Sequence, residues 1–232
     1  MQSLPAIPGV FAVNKPYGIS SARAVAIVKR WAQYVTGERS VKVGHGGTLD
    51  PLATGVLVIA VGRVYTRTIE HYVSAQKEYI VHICLGYTST TDDAEGEKTR
   101  VRGPVPAYAD VARVCEQFVG EITQIPPIFS AIKKEGVPAY KRARAGEAVV
   151  MAPRTVRIDA IEIYSYSYPY IVLRVRCGKG TYMRSLARDV GKALGSAAYM
   201  SALERTRVGI FTVEQAYDCT AFDEHCFDIL KT

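Results

Sequence analysis

The sequence of 232 residues has no long hydrophobic segment, no regular cysteine pattern and only four histidines. Its apolar runs fall well short of the roughly 18 residues that a membrane-spanning helix needs, so we expect no membrane association. Residues 1–15 lack a basic start followed by an apolar stretch, which argues against a secretory signal. The five cysteines are scattered at positions 84, 115, 177, 219 and 226. They predict reduced core residues of an intracellular, cytoplasmic protein rather than a disulfide framework.

The sequence also lacks the signatures of three common kinds of catalytic site. The histidines have no paired spacing, and Cys219, His225 and Cys226 fit a C-terminal tail better than a metal site. Residues 178–181 (Gly-Lys-Gly-Thr) resemble the end of a phosphate-binding loop, but the upstream glycine of that motif is absent. No serine nucleophile elbow is present. We therefore predict no metal site and no phosphate-binding loop.

The charge of the chain is strongly basic. A net charge of +7 and a pI of about 9.1 favour a polyanionic partner, because Lys and Arg supply salt-dependent affinity for phosphates. Residues 133–157 concentrate this charge, with seven Lys or Arg against Glu135 and Glu147. Glycines and prolines make the segment loop-rich, and it carries Tyr140. It suits a mobile arm over an RNA backbone, although by itself this composition is more typical of an exposed charged loop.

Hydrophobic periodicity predicts a mixture of strands and helices. Strands are expected at residues 10–13, 56–61, 79–85, 156–163 and 171–177. The last two are expected to pair as a hairpin. Helices are expected after Ser20 or Ser21, after Asp110 as far as Gly120, and after Thr181. No linker is long enough to divide the chain, so the sequence predicts one α+β domain with a central, mainly antiparallel sheet.

Residues 43–62 (VGHGGTLDPLATGVLVIAVG) join a glycine-rich loop to the apolar run at 56–61, which predicts a buried strand. Asp50 is the single acid of this loop. An aspartate in Gly-Gly-Thr-Leu-Asp-Pro is usually a turn former whose side chain bonds nearby backbone N–H groups. The alternative is a carboxylate nucleophile or base, which needs a fixed backbone and a nearby cation that keeps it ionised.

A second segment supplies candidate cations. Residues 177–191 (CGKGTYMRSLARDVG) comprise a strand end, a glycine turn and a helix start, where backbone N–H groups, Lys179 and Arg184 could meet an anion. Both side chains could also be ordinary surface charges. Tyr79 begins an alternating strand, a position where a tyrosine is normally half core and half surface.

Several motifs together resemble the TruB family of tRNA pseudouridine synthases. GHGGTLDPLATGVL is similar to the family's catalytic motif, whose acid is the Asp of GTLDP, and NKPYGISS is similar to its Lys-Pro-x-Gly-x-Ser/Thr-Ser motif. LGYTSTTDDAEGE, QIPPIFSAIKKEGVPAYKRARAGE, PRTVRI, CGKGTYMRSLARDVG and LERTRVGIF follow in the family's order. The resemblance covers about residues 8–217 and implies the α+β pseudouridine synthase fold, a mixed but mainly antiparallel sheet flanked by helices.

The resemblance implies roles for individual residues. Asp50 is the implied catalytic carboxylate, and Arg184 is implied to keep it ionised through a bidentate pair, a geometry that Arg provides and Lys does not. Tyr79 is implied to stack on the target uracil near C5. Leu203 is implied to close the apolar side of the pocket, and His45 to fill the space left by the flipped base.

The same resemblance implies supporting and RNA-binding groups around that site. Lys15 and Pro16 are implied to support it from beneath. Residues 126–154 are implied to form a basic thumb insertion that clamps the T-loop of tRNA. The further residues implied to bind RNA are Tyr182, Lys179, Lys133, Arg142 and Arg144.

The implied activity is isomerisation of uridine 55 in the T-loop to pseudouridine by base flipping, without a cofactor. Attack on C1′, addition at C6 and removal of the 2′ proton all remain chemically possible for Asp50. The expected partner is the T-arm of tRNA, with no obligate protein partner and a monomeric enzyme. We expect one catalytic domain over residues 1–232, with a short C-terminal tail at about 218–232 and without the RNA-binding PUA domain that bacterial members usually carry.

Two positions depart from the family pattern. Ser-Thr-Thr at residues 89–91 stands where the family often has Thr-Asp-Thr, so an acid is missing at position 90, and Tyr199 stands where the family commonly has His. Two other functions remain as alternatives. A tRNA-folding chaperone without catalysis is opposed by the joint presence of the three implied catalytic residues. A guide-RNA-dependent rRNA pseudouridine synthase is opposed by the LATGVL continuation and the short chain.

Overall fold

The computed structural model describes residues 4–134 and 136–223, which form two compact units. The first unit contains residues up to Tyr79 together with those from Glu204 onward, and the second contains Ile80–Leu203. Within the described part of the chain, no helix is both long and apolar enough to cross a membrane.

Strands account for most of the regular structure. In chain order they are β1 (Gly9–Lys15), β2 (Val43–His45), β3 (Ala53–Val61), β4 (Lys77–Leu85), β5 (Tyr87–Ser89), β6 (Lys98–Arg100), β7 (Gly120–Gln124), β8 (Lys133–Lys134), β9 (Val137–Pro138), β10 (Arg154–Ser167), β11 (Tyr170–Cys177), β12 (Ala198–Val208), β13 (Phe211–Thr212) and β14 (Tyr217–Asp218). The helices are α1 (Ser21–Thr36), α2 (Arg63–Arg67), α3 (Ile69–Ser74), α4 (Tyr108–Glu116), α5 (Ala139–Arg144) and α6 (Met183–Ala193). Strands β4 and β12 each carry the chain from one unit into the other.

The first unit is built on β3, which pairs antiparallel with both β1 and β2, while β14 pairs parallel with β1. Eight of the nine residues of β3 are buried, as expected for an unbroken apolar strand covered on both faces. Helix α1 begins after Ser20, whose side chain accepts a hydrogen bond from the backbone N–H of Arg23. It ends at Gly37, which adopts the left-handed conformation at φ 70°. The predicted strand and helix are therefore confirmed.

The second unit contains the predicted hairpin, in which β10 pairs antiparallel with β11 and, on its other side, with β7. Three predicted helix caps are wrong. Helix α4 begins after Ala107, so Asp110 lies in its first turn, and Gly120 begins β7 rather than ending the helix. Helix α6 begins after Tyr182, because the hydroxyl of Thr181 donates instead to the carbonyl of Gly178 at 3.2 Å. The mixed, mainly antiparallel sheet and the α+β class are confirmed.

The segment 126–154 contains β8, β9 and α5, so it is a small hairpin followed by a short helix. The predicted C-terminal tail is partly core. Phe222 is fully buried, stacks on Phe11 with ring centroids 5.9 Å apart and meets the edge of Trp31 at 4.9 Å. The four cysteines within the described residues are buried, as predicted. His225 and Cys226 lie outside the described residues.

Candidate active site

The loop that carries Asp50 connects β2 to β3, and its two glycines are required by packing and by backbone conformation. A Cβ atom on Gly46 would lie 2.9 Å from the Cβ of Tyr72, which is closer than real Cβ atoms approach one another. Gly47 has a φ of 118°, a conformation that other residues rarely adopt. The sequence folds locally into this tight loop because the two positions lack side chains.

Arg205 of β12 fixes the first part of the loop. Its side chain is almost fully buried, and its Nη2 donates to the carbonyl of Gly47 at 3.0 Å and its Nη1 to that of Thr48 at 3.4 Å. Its Nε donates at 2.8 Å to the carbonyl of Val56 in β3. Because a buried carbonyl without a donor is costly, this arginine holds the loop against the strand that follows it.

Ser21 and Lys15 fix the part of the loop on either side of Asp50. The hydroxyl of Ser21 donates to the carbonyl of Leu49 at 2.8 Å and accepts from its N–H at 2.7 Å. The Lys15 ammonium group donates to the carbonyl of Pro51 at 3.4 Å, and to two carbonyls of its own segment at 2.8 Å. The carbonyl of Asp50 itself accepts from the N–H of Ala53 at 3.1 Å. Each backbone carbonyl from residue 47 to residue 51 is thus hydrogen-bonded, so the aspartate stands on a fixed backbone.

Burial shifts the pKa of two predicted site residues in the first unit, Lys15 and His45. Burial lowers the pKa of Lys15 from 10.5 to about 8, and the nearby charges of Cys219 and Asp50 oppose this shift. Burial, followed by the charge of Arg205, lowers the pKa of His45, which favours its neutral form. A neutral ring suits a residue that is predicted to stack in place of a base.

Tyr79 is 7 % exposed, so it is more buried than the half-surface tyrosine that its strand pattern suggested.

In the second unit, Arg184 lies in the first turn of α6 and is almost fully buried. It forms a 3.4 Å ion pair with Asp93, whose side chain is only 2 % exposed. It also donates to the carbonyl of Phe129 at 2.9 Å. Asp93 in turn accepts hydrogen bonds from the hydroxyl of Thr91 and, at 3.0 Å, from the N–H of Glu95. Two buried charges with several hydrogen bonds compensate one another, and this arrangement fixes the guanidinium group.

Asp93 bears on the departure at position 90. The chain lacks an acid there, but Asp93 supplies a buried carboxylate in the same turn. At the other departure, Tyr199 forms a side-chain hydrogen bond with Cys84, and burial raises the pKa of its hydroxyl to about 12. The phenol therefore stays neutral.

The other predicted site residues of the second unit lie in the stretch before α6, in β12 and in the basic segment 126–154. Tyr182 precedes α6, where its backbone N–H and carbonyl both bond the buried side chain of Gln124, at 2.8 and 3.1 Å. The guanidinium of Arg154 lies over its ring at 4.8 Å. Lys179 is exposed in the preceding turn, and Leu203 is buried in β12.

The remaining predicted residues lie in the basic segment. Arg142 and Arg144 are on α5, where Arg144 lies 5.7 Å from the ring centroid of Tyr140. The side chain of Lys133 lies outside the described part of the structure. In the described residues, no group of three or more His, Cys, Asp or Glu side chains could hold a metal ion.

Sequence reasoning missed Ser21 as a loop anchor, Asp93 and Arg205. One of them had a visible signal. Leu203 and Arg205 are two residues apart in a strand, so they share a face, and an arginine on the core face of a strand needs buried acceptors. Ser21 and Asp93 had no such signal, because their partners are distant in sequence or lie within an irregular turn.

Comparison with protein families and curated proteins identifies relatives across most of the chain. The family model described as TruB family pseudouridylate synthase (N terminal domain) matches residues 34–183. The one described as tRNA pseudouridylate synthase B C-terminal domain matches residues 184–228. A tRNA pseudouridine synthase B of Burkholderia mallei (strain NCTC 10247) is 42% identical over 218 residues, which are 94% of this chain and 70% of the relative. One of Francisella philomiragia is 40% identical over 222 residues, covering 95% of this chain and 71% of the relative.

Solved structures give the same fold. A chain from an H/ACA RNP bound to a substrate RNA containing 2'-deoxyuridine matches with a TM-score of 0.68 at 29% identity, covering 97% of this chain and 55% of that one. A chain from a Cbf5-Nop10-Gar1 complex matches with a TM-score of 0.65 at 32% identity, covering 88% of this chain and 50% of that one. The present chain thus spans about half the length of those solved chains. With the matched models covering residues 34–228, it belongs to the TruB family of pseudouridylate synthases.

Proposed function

We propose that this protein isomerises uridine 55 in the T-loop of tRNA to pseudouridine, with Asp50 as the catalytic carboxylate. The observation that carries the proposal is the loop 47–51, on which Asp50 stands with every backbone carbonyl hydrogen-bonded. A turn former needs no such frame, whereas a reacting carboxylate must be held in place while a substrate moves. The relatives named tRNA pseudouridine synthase B supply the substrate class.

The reaction begins with extrusion of the target uridine from the loop, which costs roughly a few kcal/mol. Asp50 then drives cleavage of the N1–C1′ bond, through attack on C1′, addition at C6 or removal of the 2′ proton. The released uracil rotates, C5 bonds to C1′, and the proton on C5 leaves while N1 gains one. Because the product has the same atoms as the substrate, the proposal includes no redox partner, group donor or other cofactor.

The surrounding residues would bind and orient the flipped nucleotide. Arg184 would keep Asp50 ionised, and Tyr79 would stack on the uracil near C5. Leu203 would close the apolar side of the pocket, and the neutral ring of His45 would fill the space that the base leaves. Lys15 would act on the loop backbone through its bond to the carbonyl of Pro51.

The basic segment would supply most of the affinity for the T-arm. Residues 126–154 would act as a thumb, with phosphate contacts whose strength falls as salt rises. The residues proposed to contact RNA are Lys133, Arg142, Arg144, Lys179 and Tyr182. We further propose that the two units act together as one catalytic domain, that the enzyme works as a monomer without an obligate protein partner, and that it meets its tRNA in the cytoplasm.

A second candidate is a guide-RNA-dependent synthase, which the similarity to the H/ACA RNP chain favours. The curated tRNA enzymes are closer, at 42% identity against 29% for that chain. A stand-alone tRNA enzyme therefore accounts better for the sequence. A tRNA-folding chaperone is the third candidate, and only an activity measurement separates it from an enzyme.

The experiment is tritium release from a tRNA transcript that carries [5-³H]uridine, with tRNA binding measured in parallel. We expect the wild type to release tritium from the transcript without added RNA or protein. We expect no release when uridine 55 of the transcript is replaced by cytidine. We expect Asp50→Asn to bind tRNA but release nothing, whereas Asp110→Asn, a change of an exposed aspartate, should leave the rate unchanged. Binding by the wild type without release would overturn the proposal in favour of a chaperone.

A further inference from the structure

Two arginines of α6 form ion pairs with two consecutive aspartates. Arg184 and Arg188 are one helical turn apart, a spacing that puts both side chains on the same face. Arg184 pairs with Asp93 at 3.4 Å, and Arg188 pairs with Asp92 at 2.7 Å. The family motif accounts for Arg184, but neither the sequence patterns nor the proposed reaction gives any task to Arg188 or Asp92.

The turn that carries the two acids is unusual in its backbone. Asp92 has a φ of 60° and is the one non-glycine residue with a positive φ among the residues described. Its N–H donates to the carbonyl of Ser89 at 3.1 Å, and its carbonyl accepts from the N–H of Met200 at 3.0 Å. An aspartate tolerates this left-handed conformation better than most residues, yet the position favours glycine. The backbone conformation by itself therefore does not require a carboxylate at position 92.

Both arginines act on the carboxylate of Asp92. Burial raises the pKa of Asp92, and the charges of Arg188 and then Arg184 oppose that shift, so Arg184 already acts on both acids. Without Arg188, the carboxylate of Asp92 would lose its ion-pair partner and keep the favourable charge of Arg184. Two acids would then compete for a guanidinium that is buried and has fixed partners.

Arg188 also holds the beginning of the basic segment. Its Nη2 donates to the carbonyl of Ile125 at 2.8 Å, and the hydroxyl of Ser185 donates to the same carbonyl at 2.8 Å. Arg184 donates to the carbonyl of Phe129, which lies four residues after Ile125. One face of α6 therefore fixes both the acidic turn and the base of the segment that is proposed to clamp RNA.

We propose that Arg188 is a positioning residue for Arg184. By neutralising Asp92, it leaves the guanidinium of Arg184 to Asp93 and to the reaction. This inference rests on the proposed function, because its consequence is a loss of turnover. It assigns to Arg188 no contact with the substrate.

The test is a double-mutant cycle on the rate of tritium release. We expect Arg188→Gln to lower kcat about tenfold with KM for tRNA changed less than about twofold, since contacting residues couple by such amounts. Asp92→Asn removes the competing charge and keeps a residue that tolerates the left-handed conformation, so its kcat should stay within about twofold of wild type. The double variant should recover to within about threefold, because the charge of Asp92 no longer draws Arg184 away. Asp189, the other acid that Arg188 contacts, at 3.0 Å, keeps its charge in the single and the double variant alike.

A double variant as slow as Arg188→Gln would overturn the inference, as would an unchanged Arg188→Gln. Arg188→Lys keeps the charge and should retain most of the rate, so it tests the idea even if the Gln variant folds poorly. The matched control is Arg113→Gln, which breaks an exposed 2.6 Å pair with Asp110 in the same unit and should leave kcat unchanged. If the wild type itself releases no tritium, the proposed function fails and not this inference alone.

Discussion

The hydroxyl group of Ser21 holds both backbone polar groups of Leu49, the residue before the candidate catalytic aspartate. It donates to the carbonyl at 2.8 Å and accepts from the N–H at 2.7 Å, across 28 positions of sequence. Both residues are buried. A single side chain thus connects the start of α1 to the loop that carries Asp50.

Replacement of Ser21 by alanine should therefore affect both stability and turnover. It leaves a buried N–H and a buried carbonyl unpaired, which we expect to cost about 2–4 kcal/mol in the free energy of unfolding and to lower kcat. The matched control is Ser20→Ala, which removes an exposed helix cap and should cost only about 1 kcal/mol without changing kcat. Urea unfolding and tritium release measure the two effects. Equal kcat in both variants would contradict the role of the frame.

Arg205 offers a graded test of the same frame. Arg205→Met leaves three carbonyls without their donor, so we expect a loss of at least about 3 kcal/mol of stability and a sharp fall in kcat. Arg205→Lys cannot reproduce the planar fork and should be intermediate. Arg207→Met is the matched control, since its side chain is 35 % exposed and lies 3.9 Å from Glu78. If Arg205→Lys were as active as wild type, a positive charge would be enough to hold the loop, and the planar guanidinium group would not be needed.

Gln124 connects the end of β7 to the residue before α6 by two reciprocal bonds with Tyr182. Gln124→Leu keeps the size of the side chain but removes both bonds, and we expect the free energy of unfolding to fall by about 2–3 kcal/mol. Gln117→Leu, on an exposed position after α4, should change it by less than about 0.5 kcal/mol. Thermal and urea unfolding compare the two variants. Similar losses in both would show that the buried bonds matter little.

Lys15 should give stability a pH dependence of known sign. Its pKa is about 8 in the folded protein against 10.5 ordinarily, so the folded state releases this proton first and the unfolded state binds more protons between these values. The wild type should therefore gain stability relative to Lys15→Met as pH rises from 8 to 10.5, by about 3 kcal/mol at most. Urea unfolding of both proteins at pH 7, 9 and 10.5 measures the difference. A difference in the free energy of unfolding that stays constant with pH, or a wild type that loses stability relative to Lys15→Met as pH rises, would exclude this effect.

Much of the fold could be predicted from local patterns. The unbroken apolar run at 56–61 and the alternation at 156–163 and 171–177 are contained in single strands, so their periodicity is visible without a partner. Helix ends were less predictable. Thr181 is a residue type that often caps helices, yet its hydroxyl donates to the carbonyl of Gly178 in the preceding turn and, at 3.5 Å, to that of Arg157 in β10. The second acceptor is distant in sequence, so the sequence could not indicate this arrangement.

The candidate site also contains residues that could be predicted from the sequence and residues that could not. Its motif residues, among them Asp50 and Arg184, could be proposed because each family motif is a short contiguous stretch of sequence. Their supports could not, because each depends on a contact that folding creates. Arg205 and Val56 are 149 residues apart, and Asp93 meets Arg184 across more than 90.

The sequence by itself determined several of the strands and helices, the family and the identity of the candidate reacting groups, since these depend on local periodicity and on short motifs. Only the tertiary structure decided what holds those groups. Buried carbonyls and carboxylates must find donors wherever the chain brings them, and Ser21, Arg205 and Asp93 are the partners that this fold supplies. Composition cannot specify such pairings, because any serine, arginine or aspartate could in principle satisfy the same hydrogen bonds.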